Sequence, residues 1–389
     1  MKRRNIILII FIFILMALQA GAENMINIFI PTLKNEFAIS NANIGTMISL
    51  GSLGYVAFTF IGGILCDKIG QKKVFIFGIL FLIISLFLYA NTNSYFMLII
   101  DMFILNVGLS LASIAINTLV PVLVMSFQAI LMNMTHFFYG AGSAAGQGIG
   151  GFLSARGVNW RSIYFGLAVM FIIALICIIF IKVPDVHKNE KENKIGLVKV
   201  LKNKLVIFYI LALGFYVFGE IGTYKWLTNY IYDNYNYSQS RAAFYVTLFT
   251  VIFAVGRLFG GIVVEKLGYV NTVLKSLIIA CLMYTIGIIF KQNGLIIISI
   301  SGLFFAITFP TLILSISKVF KSNVSSIIGI IITFTSLINM VMQMIIGILN
   351  DYLGTYSAFY IIPISLGISI LFIALIYLNT KESFVIGRE

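Results

Sequence analysis

The sequence predicts an all-α membrane protein in which twelve transmembrane helices form two pseudo-symmetric six-helix bundles. Three observations support this fold class. The 389 residues are 60% hydrophobic and only 10% charged, whereas about 25% of the residues of a soluble domain are charged. Twelve apolar stretches are long enough to cross a bilayer. The second half of the chain also repeats features of the first.

A transmembrane helix needs about 20 predominantly apolar residues. Transmembrane β-strands would be about ten residues long and strictly alternating, and these stretches are neither. The first apolar run follows a basic start, but it is too long for a signal peptide and lacks a small-residue cleavage site. The predicted spans are residues 5–31, 44–66, 73–91, 95–118, 129–154, 162–182, 205–231, 240–264, 271–290, 294–317, 324–349 and 355–379.

The basic residues predict the orientation of these spans. The chain has 26 Lys and Arg residues against 13 Asp and Glu residues, which gives a formal net charge of +13. With an even number of spans, nineteen of the 26 fall on the side that holds both termini, five fall on the other side, and two lie within spans. Because cytoplasmic loops are enriched in Lys and Arg, we expect both termini in the cytoplasm and no nucleic-acid partner. The abundance of Ile, Asn and Lys is typical of an AT-rich bacterial genome, which predicts a bacterial cytoplasmic membrane.

The longest polar segment, residues 183–204, separates two nearly equal parts of 182 and 185 residues. We therefore predict an N-terminal bundle over 1–182, a cytoplasmic linker over 183–204 and a C-terminal bundle over 205–389. A shift of 198 positions places Asp67 on Glu265 and Gly70 on Gly268, which indicates an internal repeat. We expect a monomer.

Enzymes and metal proteins are not favoured by the residues present. The sequence contains no H-E-x-x-H motif, no Walker loop and no Ser/His/Asp set at a recognisable spacing, so we predict no catalytic residues and no cofactor. Cys66, Cys177 and Cys281 are far apart within apolar stretches and are predicted to be small buried hydrophobic residues without a bound metal.

A basic motif follows the second span. Gly63 to Lys73 reads G-x-L-x-D-K-x-G-x-K-K, and a weaker copy runs from Gly261 to Gly268. The motif resembles the signature between helices 2 and 3 of the major facilitator superfamily, which implies secondary transport by alternating access. A carboxylate at one helix end would cap the N-terminus of a helix from the other half in only one state. The predicted gate residues are Gly63, Asp67, Lys68, Gly70, Glu265 and Gly268.

The fifth span contains glycines at 142, 146 and 150 on one helix face. The segment Gly142–Gly151 resembles a superfamily pattern that is associated with export, except that Gln147 replaces its proline. Close packing of a neighbouring backbone is the other explanation for these glycines. The pattern supports an alternative function, a proton antiporter that exports amphipathic compounds.

Further fragments are similar to the fucose–glucose–galactose:proton symporter branch of the superfamily. They are the segments Asn24–Pro31, His136–Gly142 and Phe309–Thr311, together with Asn117 and with Tyr216, Gly219 and Glu220 followed by Trp226 and Tyr230. That branch has acidic residues where Asn27 and Ser113 stand here, which puts fucose itself in doubt. The resemblance implies that proton coupling, if present, uses other residues, and Glu220 is the obvious substitute.

Polar residues also recur at one-turn spacing, so they share helix faces. Such stripes occur on the four helices that line the cavity of the resembled fold, and on span 11. They are Gln19, Glu23 and Asn27; Asn106, Ser110, Ser113 and Asn117; Tyr216, Glu220 and Thr223; Ser301, Thr308, Thr311 and Ser315; and Thr335, Asn339 and Gln343. Interhelical hydrogen bonding uses the same residue types, but stripes on all four helices favour a hydrated pathway.

Glu220 and Glu23 are the predicted proton-coupling residues. A charge at mid-bilayer costs at least about 2.5–3.5 kcal/mol, so such residues are functional by default. Glu220 lies near the middle of its span, whereas Glu23 lies in the outer half, where exposure to water is the alternative. Asp101 is nearer a span end.

The sequence therefore predicts a transporter that moves a small polar solute, a sugar, together with protons. A non-transporting membrane receptor is the alternative from another class. His136 is expected to bind the solute or to have a packing role, and Trp226 and Tyr230 to stack on a sugar ring or to belong to an interfacial aromatic belt. The predicted solute-binding residues are Gln19, Asn24, Asn27, Asn106, Asn117, His136, Tyr139, Trp226, Tyr230, Asn339 and Gln343.

Overall fold

The computed structural model describes residues 3–39, 41–124, 126–184, 200–237 and 239–380. These residues are almost entirely helical. The helices are α1 (Arg3–Phe37), α2 (Asn41–Ile69), α3 (Gln71–Asn91), α4 (Tyr95–Leu123), α5 (Gln128–Ala155), α6 (Trp160–Phe180), α7 (Lys204–Tyr235), α8 (Gln239–Leu267), α9 (Tyr269–Ile289), α10 (Leu295–Phe305), α11 (Thr308–Val319), α12 (Val324–Ala358) and α13 (Ile361–Thr380). The predicted fold class is confirmed.

Within the described residues, eleven helical segments are long and apolar enough to cross a membrane, and one of them combines α10 and α11. The predicted span that is missing from these eleven is the fifth, 129–154, which corresponds to α5, a helix of 28 residues. Its six glycines and its polar side chains make α5 less apolar than the others, because these residues replace aliphatic ones along the helix. α5 thus differs from the other membrane helices in composition but is long enough to cross a membrane.

The tenth predicted span differs from the single helix that the sequence suggested. A short 3₁₀-helix over Lys291–Gly294 precedes α10, and the chain turns at Ala306 and Ile307 before α11 begins. Pro310 explains the interruption, because proline has no amide hydrogen to donate to the carbonyl of Ala306 and its ring crowds that carbonyl. The apolar pattern alone does not reveal this break.

Four glycines with positive φ lie at the turns between α2 and α3, α5 and α6, α8 and α9, and α12 and α13. Gly70, Gly157, Gly268 and Gly354 have φ angles of 86°, 80°, 91° and 77°. Each follows one long helix and precedes the next, except that the backbone of α12 merges with the following turn at Gly354. Only glycine adopts this region without strain. The sequence comparison between halves found Gly70 and Gly268 but missed Gly157 and Gly354.

The described helices cluster into two compact units. Unit 1 comprises Met1–Met125, Thr135–Glu192 and Asn323–Ile330, and unit 2 comprises Ser126–Met134, Asn193–Ser322 and Ile331–Glu389. In unit 1, α4 packs on α2 and α3; in unit 2, α10 packs on α8 and α9. This correspondence agrees with the internal repeat. Most of the predicted linker over 183–204, together with the extreme termini, lies outside the described residues.

Glycines allow α1 and α5 to approach closely in unit 1. A Cβ placed on Gly142 would collide with the backbone of Ala17, and one placed on Gly146 would collide with the backbone of Gly21. The atoms that face these two glycines are therefore backbone atoms, which cannot move aside as a flexible side chain could. Close packing accounts for these two glycines of α5.

Candidate functional site

Asp67 caps a helix N-terminus within unit 1. Its Oδ2 accepts a hydrogen bond from the backbone amide of Ser326 at 2.7 Å, in the first turn of α12. Gly63 lies one turn earlier on α2, and a Cβ there would be 2.6 Å from the carbonyl oxygen of Ser325. Carboxylates stabilise helix N-termini because the free amides there carry partial positive charge. Gly63 thus provides the space in which Asp67 reaches the helix.

Glu265 makes the corresponding contact in unit 2. Its Oε1 accepts a hydrogen bond from the backbone amide of Ala129 at 2.6 Å, in the first turn of α5. Gly261 again lies one turn earlier, and a Cβ there would be 2.6 Å from the Cα of Ile130. Gly70 and Gly268 hold the turns that follow, and Lys68 is exposed to the surroundings.

Glu23 lies in a group of polar side chains in unit 1. The Tyr139 hydroxyl of α5 donates a hydrogen bond to Oε2 of Glu23. Tyr55 of α2 is close enough to interact electrostatically with Glu23, and its hydroxyl is hydrogen-bonded to Ser113 of α4. Helices α1, α2, α4 and α5 therefore bring their polar residues to one place.

Two further predicted residues of unit 1 retain unused hydrogen-bonding capacity. Gln19 and Asn117 are 1% and 2% exposed, and Gln19 Nε2 and Asn117 Oδ1 have no hydrogen-bond partner among the described residues. Such buried polar atoms are rare and call for an explanation. Asn117 Nδ2 lies 3.4 Å from Ser113 Oγ, which connects it to the group around Glu23.

The remaining predicted residues of unit 1 are placed differently. Asn24 and Asn106 donate to backbone carbonyls one turn earlier, those of Ala20 and Met102. Asn27 is exposed on α1. His136 is buried on α5, three residues before Tyr139.

Glu220 in unit 2 lies beside Arg257, a basic residue that was not among the predicted site residues. Oε1 of Glu220 on α7 lies 3.5 Å from Nη2 of Arg257 on α8, and the two side chains are 14% and 11% exposed. The guanidinium of Arg257 stacks on the ring of Phe253 at 4.4 Å. The Tyr216 hydroxyl donates to the carbonyl oxygen of Phe305 at 2.8 Å. The sequence signal for Arg257 was its position as one of two basic residues within the predicted spans.

Trp226, Gln343 and Asn339 form a chain of hydrogen bonds in unit 2. Trp226 Nε1 donates to Gln343 Oε1 at 3.0 Å, and Gln343 Nε2 donates to Asn339 Oδ1 at 3.3 Å. All three side chains are half-buried. These hydrogen bonds connect α7 to α12.

Tyr230 lies in an aromatic cluster of the same unit. Its ring is 1% exposed and stacks on Phe359 with the ring centroids 4.1 Å apart. Its hydroxyl hydrogen-bonds that of Tyr235 at 2.7 Å. Contact between Tyr230 and a solute would therefore require the cluster to open.

A polar network that the sequence did not predict joins the ends of α1, α3, α4 and α6 in unit 1. Arg161 Nη2 pairs with Glu36 Oε1 at 2.6 Å, and Arg161 also donates to the carbonyl oxygen of Thr92. The Thr92 hydroxyl donates to the carboxylate of Asp101. Hydrogen bonds from Arg161, with a smaller contribution from the indole of Trp160, lower the pKa of Glu36 below its usual 4.5.

Among the described residues, no group of three or more His, Cys, Asp and Glu side chains lies together. Cys66 is buried and Cys281 is partly buried. The expected burial is wrong for Cys177, which is exposed on α6. An apolar position on a membrane helix can face lipid as readily as a helix neighbour, so the apolar pattern did not distinguish the two.

The family model described as Major Facilitator Superfamily matches residues 12–290 and 224–384. The chain is 25% identical to an uncharacterized MFS-type transporter, YceJ of Bacillus subtilis (strain 168), over 66% of each chain, slightly less than two thirds. It is 24% identical to the probable nitrate transporter NarT of Staphylococcus epidermidis, over 95% of this chain and 96% of the other. It shares its fold with the E. coli fucose:proton symporter FucP, with a TM-score of 0.82, 20% identity, and coverage of 96% of this chain and 99% of the other.

Proposed function

We propose that this chain, which belongs to the major facilitator superfamily of membrane transporters, moves a small polar solute of the sugar class together with protons across a bacterial cytoplasmic membrane. The superfamily follows from the match to most of the sequence. The solute class, the coupling ion and the cytoplasmic location of the termini are the proposal. No cofactor and no nucleic acid takes part, and the chain acts as a monomer.

The observation that carries this proposal is the pairing of Glu23 and of Glu220 with a polar side chain of another helix. Glu23 is bonded to Tyr139, and Glu220 lies beside Arg257. Buried ionisable residues are costly within a membrane and are characteristic of proton and substrate pathways. Glu23 in unit 1 and Glu220 in unit 2 support transport coupled to protons more directly than they support a packing role.

Uncharged hydrogen-bonding residues support a polyhydroxylated solute. Gln19 and Asn117 have buried atoms available for solute hydroxyl groups, and Gln343 and Asn339 bring amides near Trp226. An indole beside amides suits a pyranose ring, which has both a C–H face and hydroxyl groups. A solute without hydroxyl groups would leave Gln19 Nε2 and Asn117 Oδ1 unsatisfied.

Alternating access would use the two helix caps. The Asp67 and Glu265 contacts each join a helix C-terminal end to the first turn of another helix. We propose that both contacts exist in one conformational state and break in the other. They would then bias the equilibrium between the two states by the free energy of capping.

The experiment is uptake into proteoliposomes that contain a fluorescent pH indicator. Addition of D-glucose, D-xylose or L-fucose is expected to move protons with the sugar in the wild type. The Glu220→Gln variant should lose pH-driven accumulation but keep exchange of labelled sugar across the membrane. The Asp233→Asn variant, which removes an exposed carboxylate from the same helix, is the matched control.

Three outcomes would contradict parts of the proposal. Accumulation by Glu220→Gln that still follows the pH gradient would exclude Glu220 as the proton carrier. A failure of all three sugars, together with proton-driven release of an amphipathic cation, would replace symport by export. Binding of a sugar without any exchange would identify a receptor instead of a transporter.

A further inference from the structure

A row of buried hydroxyl groups runs along one side of α11 in unit 2. Thr308, Thr311 and Ser315 follow one another at spacings of three and four residues, so they share one helix face. All three side chains are fully buried. The hydroxyl of Ser315 is hydrogen-bonded to that of Tyr209 on α7 at 2.8 Å, so this face of α11 is turned toward α7.

The hydroxyls of Thr308 and Thr311 have no hydrogen-bond partner among the described residues. Both threonines lie next to the interruption between α10 and α11, where Pro310 deprives the carbonyl of Ala306 of its helical donor. Buried polar atoms without a partner are rare, and bound water commonly satisfies them. The first turn of α11 therefore offers binding sites for water inside the unit.

Tyr216 connects this row to Glu220. It lies seven residues after Tyr209, on the same face of α7. Its hydroxyl donates to the carbonyl oxygen of Phe305, three residues before Thr308, and it also interacts with the carboxylate of Glu220 one turn further along α7. The row therefore begins beside the proposed proton carrier.

The other end of the row lies near exposed ends of α7 and α11. Tyr209 is five residues after Lys204, the exposed first residue of α7, and its ring packs beside half-buried Phe320, which follows α11. The predicted topology places these helix ends in the cytoplasm. The titratable groups beside Glu220 are Arg257, Tyr216 and Tyr224, and those at the other end are Lys318, Lys321, Tyr269 and Glu265.

We infer that this row of hydroxyls, with water bound at Thr308 and Thr311, carries the coupled proton between Glu220 and the cytoplasmic side of the membrane. Each hydroxyl can accept one hydrogen bond and donate another, as a proton path requires. The inference rests on the proposed function, because it takes Glu220 as the proton carrier.

The release of the proton is balanced at every step. The Tyr216 hydroxyl turns from the carbonyl of Phe305 to the water at Thr308. Glu220 then gives its proton to the Tyr216 oxygen while Tyr216 gives its own hydroxyl proton to that water. The proton passes along the bound waters and leaves at Tyr209, so Glu220 becomes a carboxylate and Tyr216 is neutral again.

The test separates net uptake from exchange in proteoliposomes, with D-glucose, D-xylose or L-fucose as the solute. Net proton-coupled uptake requires Glu220 to release its proton in each cycle, whereas exchange of labelled for unlabelled sugar proceeds with Glu220 protonated. Thr308→Val and Thr311→Val replace a hydroxyl with a methyl group. They should slow net uptake by about 2- to 10-fold, the value of one hydrogen bond, and leave exchange unchanged.

Matched variants control for packing. Thr311→Ser keeps the hydroxyl and should retain both rates. Ser317→Ala on α11 and Thr250→Val on α8 remove hydroxyls that bond a carbonyl of their own helix, so both rates should again be unchanged. Tyr209→Phe removes the last hydroxyl of the row and should slow net uptake alone, which also covers the case in which the valine variants do not fold.

Infrared spectroscopy after a pH jump tests the path without transport. The carboxyl band of Glu220 is identified by its loss in Glu220→Gln. Its rate of change should be lower in Thr311→Val and in Tyr209→Phe than in the wild type, and equal to the wild type in Ser317→Ala.

Several results would overturn the inference. Wild-type net uptake in the valine variants and in Tyr209→Phe would exclude the row as the path while leaving the proposed function intact. Equal slowing of net uptake and exchange would assign these hydroxyls to packing or to solute movement. If the wild type moves no proton with any of the three sugars, the proposed function fails, and the infrared rates decide the path separately. Equal rates in wild type and variants, or a Glu220 band that does not respond to pH, would then exclude it.

Discussion

The Asp67 carboxylate accepts a hydrogen bond from the amide of Ser326, 259 positions later in the sequence. Unit 2 contains an equivalent contact between Glu265 and Ala129. Each carboxylate lies one turn after a glycine of its own helix, and each contacts the first turn of another long helix. The repeated contact identifies a shared function of the two motifs, namely the stabilisation of a helix N-terminus.

Replacing Asp67 with Asn should loosen the first turn of α12. The amide of Asn can still accept a hydrogen bond, but the interaction of the Asp67 charge with the helix dipole, worth about 0.3–1 kcal/mol, is lost. Hydrogen exchange of the amides over residues 324–330 is therefore expected to rise by about two- to fivefold. Lys73→Gln, which changes an exposed charge nearby, is the control. Unchanged exchange in the Asp67 variant would show that the contact contributes no stability.

Two glycines of α5 should respond oppositely to alanine. Gly142→Ala introduces a methyl group against the backbone of Ala17, and overpacking of this kind costs about 1–3 kcal/mol. A Cβ on Gly148 would have no atom within 4 Å, so alanine there should be neutral or stabilise the helix by up to about 1 kcal/mol. Thermal unfolding of the purified variants measures both effects. Equal melting temperatures would contradict the close approach of α1 and α5.

Gly70→Ala should destabilise the protein through its backbone alone. Nothing lies within 4 Å of a Cβ at this position, but its φ of 86° and ψ of 153° belong to a region that essentially only glycine occupies. The expected cost is about 1–3 kcal/mol. Gly166→Ala is the control, because Gly166 has similarly open surroundings but a helical φ. Comparing the denaturation of the two variants isolates the cost of the backbone conformation at Gly70. A loss of stability in both variants would point to contacts instead.

The pair of Glu36 and Arg161 should make stability depend on pH in the acidic range. Because the pKa of Glu36 is lowered in the folded state, its contribution is present above the unfolded value of 4.5 and is lost as pH falls through the folded value. Glu36→Gln should therefore lower the melting temperature at pH 7 and have little effect at the lowest pH that the protein tolerates. Glu36 is partly exposed, so the effect should also diminish in high salt.

The helices were predictable because the apolar runs are long and their polar interruptions are clear. The end of α1 was less predictable, because the helix continues to Phe37, beyond the predicted end at residue 31. The interruption between α10 and α11 depends on how the backbone accommodates Pro310, and hydropathy carries no information about this. The recurrence of the glycine turns was visible only partly, because Gly157 and Gly354 are recognised by their φ angles.

For the candidate site, residue type identified the acids but not their partners. Glu23 and Glu220 stand out because carboxylates are rare in apolar spans, and this holds for any fold. Their pairing with Tyr139 and Arg257 depends on helices that are far apart in sequence or on the rotation of adjacent helices. Tyr230 has the residue type of a solute-binding aromatic, but its ring packs against Phe359.

The sequence by itself determined that this chain spans a membrane and that its halves are related, because both conclusions depend on the order and spacing of residues along the chain. The tertiary structure alone decided which polar groups meet. Helix rotation and long-range packing place the carboxylate of Asp67 on Ser326 and the guanidinium of Arg257 beside Glu220. The low charge content can therefore be read from the sequence, whereas the contact that each charged side chain makes is visible only in the tertiary structure.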